Sequence, residues 1–318
     1  MNSSSFVGVD VSQRTLDVAV DESVAVQCIA NTQGAIDRWL HEIPPSSYIA
    51  MESTGRLHLL LATRALAQGH IVYVLNPRDL AHYARSLGRR AKTDRLDAQL
   101  ILRYIRREHA QLHPYQLASR LQSQLDELIG RRHQVVCAEV SLRQSFGQCQ
   151  CELLTLEPAL DALANLINQI DERMRALVAQ DARLSDAAKH LRTVVGFGPL
   201  LSTSLAHAIT RHPFKHSDAF IAYIGYDPRV RDSGQWRGRR FLSKRGSAEL
   251  RRQLYAAALS ACKTQLWRPF YLRYRERGLS STASLVILAR KLARIAFSLV
   301  KHGVDFDPQL VKLTCATP

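Results

Sequence analysis

The sequence predicts an α/β layer followed by a mainly helical remainder, and three patterns predict it. Short valine-rich runs broken by Asp, Ser and Gly alternate with short helical stretches as far as Leu75. Beyond Pro114 the apolar residues switch to alternating spacings of three and four. From Leu191 onward small and apolar residues recur at helical spacing around glycine-containing turns. With 318 residues the chain is long enough for more than one core. The divisions expected are 1–113, 114–190 and 191–318.

In the first division, Phe6–Val9, Leu16–Val20 and Val24–Ile29 read as strands, too rich in valine and too broken by polar residues for a helix. Gln33–His41 is a short helix closed by Pro44 and Pro45, and Tyr48–Met51 is the next strand. Arg56–Gln68 is a helix stopped by Gly69, and His70–Leu75 is a strand ended by Asn76-Pro77. One helix follows from Pro77 and another covers about Thr93–Arg107.

In the second division, Leu121, Leu125, Leu128, Leu142, Phe146, Cys149, Leu153, Leu156, Leu160, Leu163, Ile167, Ile170, Met174 and Leu177 form a coiled-coil seam. Pro158 interrupts it, because an interior proline lacks a donor and clashes with the preceding turn, so two helices are expected, 118–154 and 158–190. The seam fits a hairpin packed on its own domain or a dimerisation stalk; the stalk is the expectation carried forward. In the third division, Val194-Val195-Gly196-Phe197-Gly198-Pro199 matches a helix–hairpin–helix turn, in which Gly196 and Gly198 let backbone N–H groups face a phosphate. A polar loop spans Tyr226–Phe241, and Leu250–Cys262 and Leu285–His302 are helices.

Charge narrows the function. The net charge is +15. Arg85–Arg107 holds eight basic residues against two acids, and Arg229–Arg252 holds nine against two, which together account for +13. Such clustering points to phosphate contacts rather than to a mixed soluble surface. Arg90, Lys92, Arg237, Arg239, Arg240, Lys244 and Arg245 are the candidate nucleic-acid ligands. The most apolar late stretch, Ser284–Val300, is interrupted by Arg290, Lys291 and Arg294, so no membrane span is expected, and the first ten residues have no signal-peptide core. Six scattered cysteines suggest a reduced cytoplasmic protein, and no paired spacing suggests zinc.

Asp10 and Glu52 stand at strand ends, and Asp94 and Asp97 share one face of a helix inside the first basic window. Four carboxylates gathered together repel unless cations neutralise them, and two magnesium ions are the usual clamp for phosphodiester chemistry. Each acid alone also reads as a turn or cap residue. Ser233, in Arg231-Asp232-Ser233-Gly234, is the candidate nucleophile, with the neighbouring arginines and lysines to hold the phosphate. Asp-Ser-Gly is equally ordinary turn chemistry. Ser243 and Ser247 compete for the same role, with Ser247 better placed to cap the following helix.

Several blocks resemble one family. Phe6-Val7-Gly8-Val9-Asp10-Val11-Ser12, Met51-Glu52-Ser53-Thr54-Gly55 and Lys92-Thr93-Asp94-Arg95-Leu96-Asp97-Ala98 resemble the DEDD motif of the insertion-sequence "one-ten" transposases, a group that includes the eleven-eleven branch and the Piv-like DNA invertases. Tyr223-Ile224-Gly225-Tyr226-Asp227-Pro228, Asp232-Ser233-Gly234 and Ser243-Lys244-Arg245-Gly246 to Leu250-Arg251-Arg252 resemble that family's C-terminal domain. The resemblance implies a RuvC-like (RNase H-type) N-terminal domain, a coiled-coil stalk and a transposase domain with a nucleophilic serine. It implies that Asp10, Glu52, Asp94 and Asp97 hold Mg2+, two ions per site, and that Ser233 forms a transient phosphoserine link to DNA. Its implied partners are donor and target DNA, a noncoding bridge RNA, and further copies of the chain as a dimer pairing into a tetramer. A cytoplasmic enzyme acting at the nucleoid is expected. A RuvC-like junction nuclease, a Piv-like invertase and a non-catalytic nucleic-acid scaffold are the alternatives.

Overall fold

The computed structural model describes residues 5–53, 55–88, 94–147, 155–229, 232–233, 236–237 and 241–309, with backbone alone for 94–96, 232–233 and 236–237. The chain forms two units, Met1–Leu117 and Ala118–Pro318.

The first unit is built on a five-stranded mixed sheet. Its strands are β1 (Phe6–Val11), β2 (Thr15–Ala19), β3 (Gln27–Ala30), β4 (Tyr48–Glu52) and β5 (Ile71–Leu75), in the order β3-β2-β1-β4-β5. The first three are antiparallel neighbours, whereas β4 and β5 run parallel to β1. Parallel pairing needs a crossover, and the helices supply it: α1 (Gln33–Glu42) before β4 and α2 (His58–Ala67) before β5. Strand alternation sorts the side chains. Val7, Val9, Val11, Ile49 and Met51 face α1 and α2, where Ile36, Trp39, Leu40 and Leu61 complete the core. Ala50, Tyr73 and Leu75 share the other face with α3 (Pro77–Ser86) and α4 (Asp94–Glu108) through Leu80, Ile101 and Ile105. Asn76 caps α3 by accepting from the Arg78 amide at 2.9 Å, with Pro77 in the first turn, as the Asn-Pro signal predicts.

The second unit opens with α5 (Arg120–Phe146), whose N-terminus carries a Ser119–Gln122 capping box. Helix α6 (Glu157–Val178) starts with Pro158 in its first turn, where the missing N–H is harmless. The two helices form an antiparallel hairpin: Leu125 packs in the core that holds Ile170 and Met174, and Arg132 makes a two-pronged pair with Asp171 at 2.6 and 3.0 Å. Leu142, Phe146, Leu160, Leu163 and Ile167, farther along the seam, are half-buried. The expected single helix over 158–190 is instead two, because Asp181 caps a new helix, α7 (Ala182–Arg192), by accepting from the Leu184 amide at 3.0 Å.

Helices α8 (Pro199–Arg211), α9 (Ser217–Ile224), α10 (Ala248–Ala261), α11 (Arg268–Glu276) and α12 (Ser281–His302) complete this unit. Helix α12 is central, with Leu285, Leu288, Leu292, Ala296 and Leu299 buried along one face, as its spacing predicts. The expected polar loop between Tyr226 and Phe241 contains short strands: β6 (Pro228–Arg229) pairs with β9 (Phe241–Leu242), and β7 (Asp232–Ser233) pairs with β8 (Trp236–Arg237). Among the described residues no helix is long and apolar enough to cross a membrane.

Candidate active site of the N-terminal sheet

Helix α4 crosses the sheet in a direction that carries its first turn toward the end of β1. A Cβ on Gly8 would lie 2.3 Å from the Leu102 nitrogen and 2.4 Å from the Ala98 carbonyl oxygen, so the helix backbone rests directly on β1. Just past the C-terminus of α4, the His109 ring sits 4.9 Å from Phe6 at the start of β1. Helix and strand are therefore antiparallel, and the first turn of α4, with Asp94 and Asp97, overhangs the end of β1 where Asp10 lies. Arg106 fixes the other end of the helix by donating to the Val20 carbonyl at 3.0 Å and to Asp21 at 3.3 Å. Hydrogen bonds from Ser23, helped by Arg106, hold the exposed Asp21 carboxyl down to about 2.

Register brings Glu52 to the same place. Val9 pairs with Met51 in the parallel β1–β4 ladder, so Asp10 and Glu52 follow side by side, on the face opposite the Val9 and Met51 core. Asp10, Glu52 and Asp97 are each half-buried. Asp94 occupies the first position of α4, and its side chain lies outside the described residues. Local sequence reading missed Asp17, which stands directly opposite Asp10 in the β1–β2 register and is half-buried on the same face. Its signal was the alternation Leu16-Asp17-Val18, legible only once the pairing is known.

Among the described residues no three His, Cys, Asp or Glu side chains are gathered tightly enough to enclose a metal ion. The donor set nevertheless fits a magnesium-type cation, which takes one or two carboxylates and completes its shell with water and substrate phosphate rather than with a protein cage.

The second cluster of candidates lies in the C-terminal unit. Ser233 is in β7, paired with Trp236, and only its backbone is described, as for Arg237. Arg90, Lys92, Arg239 and Arg240 lie outside the described residues. Lys244 and Arg245 are exposed just past β9, Lys244 with a left-handed φ of 53°. Ser243 is not an accessible nucleophile: it is 7% exposed and donates its hydroxyl proton to Asp227. Ser247 caps α10 by accepting from the Leu250 amide, as expected. Several basic residues of the two windows serve the fold itself, since Arg103 lies 3.7 Å from Glu22 and Arg252 lies 2.7 Å from Glu249. The Gly196–Gly198 turn does join two packed helices. Gly196 has a φ of 102°, a Cβ there would lie 2.8 Å from the Ala261 Cβ, and Gly198 caps α8. Trp267, fully buried, anchors the turn by donating to the Val195 carbonyl at 3.2 Å.

A mixed sheet with acids at adjacent central strand ends, overhung by an acid-bearing helix, is consistent with a RuvC-like DEDD domain, the class of enzyme domain that presents carboxylates to phosphodiesters. Residues 7–149 match the DEDD transposase family model of the IS110 type, and residues 188–272 match the transposase domain of the IS116/IS110/IS902 family. The chain belongs to the IS110-type transposase family. It is 26% identical over 322 residues to the pilin gene-inverting protein of Moraxella bovis, spanning 97% of this chain and 99% of that one. The protein of the same name from Moraxella lacunata is 25% identical over 325 residues, with 97% and 99% covered. An uncharacterised 44.8 kDa protein of insertion element IS116 from Streptomyces clavuligerus is 26% identical over 155 residues, 46% of this chain and 38% of that protein.

Proposed function

We propose that the chain cuts and rejoins DNA strands through a serine nucleophile, with carboxylate-held magnesium in the N-terminal unit. The observation that supports the carboxylate part of this reading is the seating of α4 on Gly8, with the helix running back toward the end of β1 beside Glu52. In this reading residues 1–113 carry the acids, 114–190 form a stalk that pairs subunits, and 191–318 carry Ser233.

Asp10, Glu52, Asp94 and Asp97 would hold two magnesium ions per site, which when bound neutralise the phosphate and stabilise charge on the attacking and leaving oxygens. Ser233 Oγ loses its proton and bonds to phosphorus, the bond from phosphorus to the departing sugar oxygen breaks, and that oxygen takes up a proton. The reverse attack by a sugar hydroxyl expels Ser233 and restores the diester. No bond energy is lost to water, so rejoining needs no nucleotide cofactor. Arg90, Lys92, Arg237, Arg239, Arg240, Lys244 and Arg245, with the Gly196–Gly198 turn, supply backbone phosphate contacts that carry affinity but no sequence information. Sequence choice falls to a noncoding bridge RNA pairing with donor and target DNA, an arrangement in which protein reads shape and pairing reads sequence. A tetramer of paired dimers brings the acids of one subunit to the serine of another.

The full-length similarity to the two pilin gene-inverting proteins favours a second reading of the same chemistry, inversion of a DNA segment rather than its transposition. A plasmid reporter separates them: transposition yields an excised circle or a new insertion, whereas inversion yields only the flipped segment. Cation use is tested by counting Mn2+ bound to the full chain, by electron paramagnetic resonance, in the presence of DNA. The reading expects loss of bound Mn2+ in Asp10→Asn and Asp97→Asn, and equal binding in wild type and variants contradicts it.

A further inference from the structure

The motifs Tyr223–Pro228 and Ser243–Arg251 flank Ser233 in the chain, and apart from the phosphate contacts of Lys244 and Arg245 the recombination chemistry gives them no role. The structure folds them against each other. Pro228 pairs with Leu242 and Arg229 with Phe241, so Asp227 and Ser243 face one another at the base of the ladder. There the Ser243 amide donates to the Asp227 carbonyl at 2.9 Å, and the buried Ser243 hydroxyl donates to the Asp227 carboxylate. The Lys244 amide donates to the Gly225 carbonyl at 3.1 Å.

Arg251, on α10, ties this base to the helical body. Its Nη1 donates to the Ile224 carbonyl at 3.0 Å and to the Gly246 carbonyl at 2.7 Å, one from each side of the ladder. Its own carbonyl accepts from the Tyr226 hydroxyl at 2.8 Å, and Tyr226 is 2% exposed. Two glycines permit the approach: a Cβ at Gly246 would lie 1.8 Å from the Tyr223 carbonyl oxygen, and one at Gly225 would lie 2.9 Å from Arg251 Nη1. A charge-assisted hydrogen bond inside such packing is worth more than a neutral surface one.

We propose that Asp227 and Ser243 are positioning residues, a latch that closes the base of the β6/β9 ladder, between whose strands the chain carries Ser233. This rests on the serine-nucleophile reading. A two-residue ladder is marginal in water and depends on its base, so loosening the base shifts the chain between its strands, and a misplacement of roughly 1 Å costs on the order of a hundredfold in rate.

The test uses the full chain with labelled donor DNA, Mg2+ and the element's flanking RNA. Asp227→Ala and Ser243→Ala each slow Ser233-dependent adduct formation about tenfold or more at saturating DNA, with DNA affinity within about twofold of wild type. The double variant is no slower than the worse single one, and Asp227→Asn, which keeps an acceptor for the hydroxyl, recovers most of the rate. Hydrogen exchange in the DNA-free protein reads the latch by itself: the amides of Arg229 and of Phe241 to Lys244 exchange about tenfold faster in either alanine variant while α10 and α12 stay protected. Unchanged exchange overturns the latch whatever the nucleophile proves to be. Faster exchange with an unchanged adduct rate overturns its positioning role. Absence of any adduct in wild type removes the serine reading and the positioning role with it, and leaves exchange to report the ladder alone.

Discussion

The Ala98 carbonyl oxygen of α4 lies 2.4 Å from where a Cβ on Gly8 would stand, so the spacing of helix and strand is set by the absence of one methyl group. Both partners are backbone, which has no rotamer to yield. Gly8→Ala therefore pushes α4 off the sheet. The loss of stability expected is about 3 kcal/mol or more, seen as a lowered melting temperature, and metal-dependent DNA cleavage falls with it. A Gly8→Ala protein with wild-type melting and activity contradicts this seating of the helix.

Removing single carboxylates separates chemistry from folding. Asp10→Asn, Glu52→Gln and Asp97→Asn each lower strand cleavage about a hundredfold or more in protein that still unfolds cooperatively. Chelation of divalent cations abolishes cleavage in wild type. Persistent cleavage in chelator, or in Asp10→Asn, argues against carboxylate-held metal.

Asp126 on α5 accepts from His207 Nε2 at 2.8 Å and pairs with Arg211, joining the hairpin base to α8. Burial pushes its carboxyl up, but His207 and Arg211 outweigh that and hold it below the ordinary carboxylate range. A depressed native value stabilises the fold above the unfolded value and loses that stabilisation as pH falls. Asp126→Asn is accordingly less stable than wild type by about 1 kcal/mol at pH 7, a figure kept small by its partial exposure. The difference shrinks at pH values below the depressed native value. Denaturant unfolding at neutral and acid pH checks it, and a deficit that grows on acidification contradicts it.

Arg239 and Arg240 belong to the second basic window. Replacing both with alanine lowers nucleic-acid affinity and flattens the dependence of log K on log salt by about two. Binding measured across a salt series decides it; an unchanged slope removes these residues from the phosphate contacts.

Much of the N-terminal unit was legible because its signals are local. Valine-rich runs marked strands at Phe6–Val9 and Leu16–Val20, and Asn76-Pro77 marked a helix start. Features that depend on distant pairing were not legible. The break before α7 was hidden because apolar spacing runs on through Met174, Leu177, Leu184 and Leu191, although Asp181 was a visible cap. Strands β6 to β9 are two residues each, too short for any period to register. Ser243 read as a rival to Ser233 for the nucleophile, and only the fold shows it buried with its hydroxyl on Asp227. Asp17 became relevant only through its pairing with Asp10.

The most direct test of the central claim is the capture of a covalent protein–DNA adduct under denaturing conditions. Labelled donor DNA, Mg2+ and the element's flanking RNA would be incubated with wild type, Ser233→Ala and Asp94→Ala. An adduct is expected in wild type and lost in both variants, with the labelled phosphate on the peptide containing Ser233. Free cleaved ends in wild type and Ser233→Ala alike, with no adduct, would contradict it and identify a metal-dependent nuclease that uses water.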